Sequence, residues 1–162
     1  MLKFKIETYL KLIFIISSIA IISAYYIEYI LGYQPCNLCL IERVPYWLSI
    51  ILIFTNYILK KNEKFCILLL ILIFIFSFAV AFYHFGIELG FFQESTICGF
   101  ENASEIITKE EVLKQLSKKM ISCKDVTFKV FGLSLTTINV IISLFLTYLL
   151  IKIFKNYEKF KS

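Results

Sequence analysis

Cys36 and Cys39 enclose two residues in the run Gln34-Pro35-Cys36-Asn37-Leu38-Cys39. At the start of a helix this spacing brings both sulfurs together, which suits a reversible disulfide. Unpaired backbone N–H groups at a helix N-terminus favour the thiolate, the form that attacks disulfides and donates electrons. Alone, the motif equally admits a metal site or a chance pair. Cys98 and Cys123 stand about 25 residues apart; joined, they would staple a loop at roughly 3 kcal/mol. If both pairs face one compartment, thiol–disulfide exchange between them becomes available. Four cysteines allow three pairings, and spacing selects none of them. A four-thiolate zinc site fits poorly, because such sites normally use two short-spaced pairs.

Other residues could assist this chemistry. Arg43 follows Cys39 by four positions, so a continuous helix would set both on one face. A fixed cation there would stabilise a thiolate and an anion developing on an acceptor. The plainer role is an interfacial arginine reaching the lipid headgroups. Pro45 disfavours helix at Val44 and would clash with the carbonyl of Ile41 in a continuous helix; a break there would misalign Cys39 and Arg43, and the sequence leaves open which holds. His84 and Glu88 are also four apart, placed for proton handling or for lining a head-group site; the plainer role for the histidine is structural. Cys66 lies far from these residues in the chain and reads as a packing residue.

These groups must be positioned by apolar elements. Hydrophobic residues make up 59% of the 162-residue chain, and the mean hydropathy is +0.80. A water-soluble domain would have to expose much of that surface, whereas a bilayer removes the difficulty. The net charge of +5 does not indicate nucleic acid, because the lysines gather beside apolar runs and form no basic face. A spanning helix needs about 20 apolar residues. Candidates run from about 12 to 31, 44 to 59, 65 to 85 and 133 to 154. The second is short, roughly 24 Å at about 1.5 Å per residue. Tyr46, Trp47 and Tyr57 suit its two interfaces. Apart from Lys152 at the end of the fourth, Glu28 is the one charge expected within these stretches.

Four spans put both termini on one side. Lys3, Lys5 and Lys11 precede the first, Lys60, Lys61 and Lys64 fill the tight second connection, and Lys152, Lys155, Lys159 and Lys161 end the chain. The opposite short loop has Arg43 alone. The positive-inside rule then makes the termini cytoplasmic and turns the cysteine-bearing loops, about 32–43 and 86–132, outward. A cleaved signal peptide is the rival for the N-terminal stretch. It fits less well, because the apolar run is long and no small-residue cleavage site precedes a polar start. In the long loop, Thr108 and Glu111 make a capping box. Val112, Leu113, Leu116 and Met120 then share one helical face, fit to cover the bundle's end or to lie on the membrane.

The run Pro35-Cys36-Asn37-Leu38-Cys39-Leu40-Ile41-Glu42-Arg43 resembles the signature of the disulfide bond formation protein B (DsbB) family. The resemblance extends through Tyr83-His84-Phe85-Gly86-Ile87-Glu88, the Cys98 and Cys123 pair, and Phe131-Gly132-Leu133-Ser134-Leu135, nearly the whole chain. It implies an all-α membrane protein: a single four-transmembrane-helix bundle in a bacterial inner membrane, with cytoplasmic termini and periplasmic cysteine-bearing loops. It also implies a quinone-dependent protein-disulfide oxidoreductase with Cys36, Cys39, Cys98 and Cys123 as catalytic residues. Cys98 would be attacked by a reduced DsbA-like thioredoxin-fold partner. Electrons would pass from Cys98–Cys123 to Cys36–Cys39 through an exchange of Cys36 with Cys123. Cys39 would face the quinone, ubiquinone or menaquinone, with Arg43 beside it; His84 and Glu88 match as cofactor-site residues less decisively. The DsbA–DsbB–quinone route is an established one in the bacterial periplasm, imported by the resemblance rather than demonstrated by these residues. Competing readings are a vitamin K epoxide reductase-like quinone-linked protein, a non-enzymatic disulfide-stapled membrane protein and a metal-binding one.

Overall fold

A computed structural model describes residues 3–59, 63–94, 98, 122–124, 128–130 and 132–157. The amphipathic segment expected from Thr108 to Met120, and Lys60, Lys61, Lys159 and Lys161, lie outside the described residues. Four long helices carry the fold: α1 (Lys3–Tyr25), α2 (Asn37–Leu59), α3 (Glu63–Glu88) and α4 (Leu135–Lys155). Each is long and apolar enough to cross a membrane. One short hairpin, β1 (Lys129–Val130) with β2 (Leu133–Ser134), stands just before α4, so the last helix starts two residues later than the sequence implied.

The second helix departs most from expectation. It begins at Asn37, seven residues before Val44, and spans 23 residues, about 34 Å at ~1.5 Å per residue. That is a full crossing rather than a short one. Pro45 sits inside it without ending it. Proline's fixed φ is already helical, so its cost is one hydrogen bond and a local clash. Burial of the Pro45 ring offsets that cost, as packing against neighbouring helices commonly does in membrane bundles. Cys39, Glu42, Arg43 and Tyr46 therefore ride one uninterrupted helix.

The bundle packs through small polar residues. α3 lies against α4 and α2, and α2 lies against α1. At two of these contacts buried serines meet: Ser17 and Ser49 at 2.9 Å, and Ser77 and Ser143 at 3.0 Å. Lipid offers no hydrophobic reason for helices to associate, so small side chains that permit close approach, with a shared hydrogen bond, supply it. Around them Ile13, Ile67, Leu70, Phe74, Leu146 and Leu150 form a fully buried core. Leu72, Phe76, Ile141 and Phe145 are among the large apolar residues left on the outer faces, as expected where lipid is the solvent.

Three local devices shape the end of the bundle that carries the cysteines. Past Tyr25, α1 loosens into a π-helical turn, Tyr26–Ile30, closed at Gly32 with φ of +77°. After α3 the chain folds back so tightly that Phe91 N–H donates to the Gly86 carbonyl at 2.8 Å. The Phe92 ring occupies the space a Cβ at Gly86 would need, and it stacks on Tyr83. Ser134 ends the hairpin and caps α4, accepting the Thr137 N–H at 3.1 Å, an ordinary N-cap arrangement.

Replacing Ser77 tests the close packing of α3 on α4. Ser77→Leu is expected to destabilise the bundle by about 1–3 kcal/mol through overpacking. Ser77→Ala should cost only ~0.6 kcal/mol, the average for a hydrogen bond between membrane helices. Unfolding in detergent would measure both, and an unaltered Ser77→Leu variant would contradict the contact.

Candidate functional site

Cys36 occupies the N-cap position of α2. Its carbonyl accepts the Leu40 N–H, and its sulfur accepts the Cys39 N–H at 3.3 Å. This is the arrangement a serine or aspartate cap would adopt, with sulfur in place of oxygen. The Cys36 and Cys39 sulfurs lie 2.9 Å apart, and both residues are free thiols. Below them His84, on α3, approaches the Cys36 sulfur with Nε2 at 3.6 Å. Its Nδ1 meets Glu42 Oε1 at 2.7 Å. A cysteine, a histidine and a carboxylate thus stand in line, the order that activates a thiol nucleophile.

The electrostatics of Cys36 follow from these contacts. Its acidity is strengthened to a pKa of about 4. The hydrogen bond with Cys39 is the largest cause; burial opposes it, and the hydrogen bond and attraction of the His84 ring add to it.

The second cysteine pair is a disulfide. Cys98 and Cys123 are joined, with Cα atoms 5.6 Å apart. Glu94 helps fix the Cys123 segment by accepting from the Lys124 N–H at 2.9 Å and from Ser122. Both half-cystines are buried in one cluster with Cys36, Leu38 and Ile87, against which Cys39 also packs. The fold therefore gathers all four cysteines at one end of the bundle.

Cys36 and Cys39 face different neighbours. A cavity of about 410 Å³ opens between α1, α2 and α4, and Cys39 lines it while Cys36 does not. Glu42, Arg43, Tyr46 and Asn139 supply polar lining; Ile16, Ala20, Ile138 and Ile142 are among the apolar residues. Tyr33 and Phe128, whose rings meet at 5.0 Å, also line it and link the two outer loops. Arg43 lies over the Tyr25 ring and pairs with Glu28 from the π-helical turn. Glu28, the acidic residue expected within the spans, is therefore the partner of Arg43.

His84 and Glu88, expected at a head-group site, do not line this cavity. His84 lies beneath Cys36. Glu88 joins α3 to the start of α4, accepting from Ser134 Oγ and Thr136 Oγ1, each at 2.6 Å, where negative charge is favoured by the helix N-terminus. Sequence reasoning assigned no role to Glu42 or Asn139. Glu42 stands three residues after Cys39 and so shares its helical face, a signal obscured by the open question of a break at Pro45. Cys36, Cys39 and His84 bring three donor atoms within 4.8 Å, one fewer than the closed four-ligand set of a structural zinc site.

Comparison with known proteins agrees with this geometry. The family described as "Disulfide bond formation protein DsbB" matches residues 7–153. The uncharacterized protein RP370 of Rickettsia prowazekii (strain Madrid E) is 33% identical over 131 residues, 80% of this chain and 76% of that protein.

The reduced protein should show the ultraviolet absorbance of one thiolate at neutral pH, persisting until the pH falls to about 4. Cys36→Ser should abolish it. Cys39→Ser should move its titration upward, because the largest stabilising contact is lost. A Cys36 that ionises only in the ordinary thiol range would contradict the assignment.

Proposed function

Because this chain belongs to the DsbB family, a membrane disulfide bond formation protein with four candidate spans, we propose that it reoxidises a periplasmic DsbA-like thiol oxidase and passes the electrons to a membrane quinone. The observation that carries this reading is the division between the two inner cysteines. Cys36 shares a buried cluster with the Cys98–Cys123 disulfide, while Cys39 lines the cavity. Adjacent sulfurs that face two different neighbours are what a relay between a protein disulfide and a small acceptor requires. Family membership favours this reading over a vitamin K epoxide reductase-like one.

The cavity suits a quinone. Its volume of about 410 Å³ falls within the range of roughly 300–1,000 Å³ for small-molecule sites, which are mostly apolar with a few placed polar groups. The apolar lining of α1 and α4 fits an isoprenoid-bearing ring, and Arg43 at the polar end would hold a ring oxygen. A bound quinone, ubiquinone or menaquinone, supplies a two-electron acceptor. The protein's own residues do the rest. In this cycle the partner's thiolate attacks Cys98 and releases the Cys123 thiolate, which attacks Cys36 of an oxidised Cys36–Cys39 pair and releases Cys39; the partner's second thiol then frees Cys98, which re-forms the bond with Cys123 and releases Cys36. In the reduced inner pair the Cys36 thiolate is stabilised by Cys39 and His84. With the outer pair joined and the inner pair free, the described chain has the bonding pattern that would precede electron transfer to the acceptor. Lysine placement supports an orientation with the cysteine end periplasmic in the bacterial inner membrane.

The test uses the purified chain in detergent with a reduced DsbA-like protein and a short-chain quinone, followed by quinone absorbance. The parent should reduce the quinone, and Cys39→Ser and Cys98→Ser should not. Arg43→Gln should slow turnover on the order of 10²-fold if the guanidinium stabilises developing negative charge. A folded parent that reduces neither ubiquinone nor menaquinone would sink the proposal.

A further inference from the structure

Oxidation of two thiols releases two protons as well as two electrons, and the fold separates their sources. Cys39 lines the cavity and can lose its proton there directly. Cys36 does not line it. Among the described residues its buried titratable partner besides Cys39 is His84, which also does not line it. Glu42 closes the gap. It receives His84 Nδ1 on one carboxylate oxygen and stands in the cavity wall.

We propose that Glu42 is a proton-relay residue that acts through His84 to carry the proton given up by Cys36 to an acceptor in the cavity. The inference rests on the quinone reading and adds the path of one proton. The net step is balanced. The reduced pair starts as the Cys36 thiolate and the Cys39 thiol, with the proton that Cys36 gave up held on His84 Nε2. The Cys39 S–H bond breaks and one S–S bond forms. Two electrons pass to a quinone, which leaves as the quinol. One proton comes from Cys39. The other is the one already on the imidazole: the Nδ1 proton moves to Glu42 Oε1, and the carboxyl group delivers a proton to the acceptor's oxygen.

The surroundings of Glu42 suit this better than a structural salt bridge. The adjacent cation, Arg43, turns instead to Glu28. The other carboxylate oxygen of Glu42 accepts Asn139 Nδ2 at 2.6 Å, and Asn139 Oδ1 accepts the Tyr46 hydroxyl. Among the described residues the buried carboxylate is held by neutral donors and by one imidazole, whose charge comes and goes with its proton, so sharing that proton with the histidine lowers its cost of burial. The titratable or charged groups around the pair are Cys36, Cys39 and Tyr46 from the segment leading into and forming α2, Arg43 beside it, and Glu88 from α3. Glu88 reaches His84 only through Thr136, 3.4 Å from Nδ1.

Pre-reduced full-length protein in detergent, mixed with a short-chain ubiquinone or menaquinone, gives a single-turnover rate of quinone reduction. In the parent that rate should fall in deuterated water. Glu42→Gln, which keeps the shape and removes the proton site, should slow it by about 10²-fold or more, the usual worth of a positioned acid–base group. Glu42→Asp should recover much of the rate. Added formate should rescue Glu42→Ala by supplying a carboxyl group within the cavity. These two variants keep the test decisive if Glu42→Gln folds poorly. A Glu42→Gln rate equal to the parent's overturns the relay and leaves the quinone reading standing. A slow Glu42→Gln rescued by neither aspartate nor formate also overturns it, in favour of a structural role. A parent that reduces neither quinone overturns the quinone reading and the relay together.

Discussion

A carboxylate buried among membrane helices must find donors within the protein, because lipid supplies none. Glu42 meets that demand from two helices at once, His84 on α3 and Asn139 on α4. The arrangement at the cysteine end follows from it. The histidine ring is held by Nδ1, which leaves Nε2 aimed at Cys36. Asn139 is held by Tyr46 in turn, so α2, α3 and α4 are registered against one another by a single polar chain. Substituting apolar residues there would be tolerable for packing, but it would remove the group that orients the imidazole beneath the nucleophile.

The same end of the bundle separates two kinds of surroundings for two adjacent sulfurs. Cys36 is drawn toward protein, capped by its own helix and buried in one cluster with the Cys98–Cys123 disulfide. Cys39, three residues on and nearly a full turn around the helix, lines the cavity beside Arg43. Helical geometry supplies the division, because residues at that spacing share a face yet differ in depth. One sulfur is therefore adapted to exchange with a protein disulfide and the other to a small acceptor.

Loops and turns at this end serve placement rather than flexibility. The π-helical turn after α1 brings Glu28 to Arg43, which fixes the guanidinium at the cavity wall. Gly86 allows the chain to double back under Phe92. Glu88 and Ser134 tie the end of α3 to the start of α4. That tie holds the His84 helix against the helix that carries Asn139.

The sequence by itself determined the class of the protein and its chemical endowment. Four apolar stretches of crossing length can be satisfied only as helices in lipid, so hydropathy alone predicts them. The C-x-x-C run and the outer cysteines announce thiol chemistry through residue type and spacing. Tertiary structure decided what pairwise contacts alone can decide. Pro45 remained within α2 because the pocket receiving its ring was invisible in the local chain, and with it Cys39 and Arg43 remained on one helix. Glu28, read only as a stray charge, is the partner of Arg43 because a π-helical turn rotates it there. Glu42 and Asn139 are 97 residues apart in the chain, and no periodicity within either helix signals that they meet. His84 and Glu88, equivalent by spacing, were separated by their neighbours: one lies under a thiol, and the other accepts from the Ser134 and Thr136 hydroxyls at the start of α4.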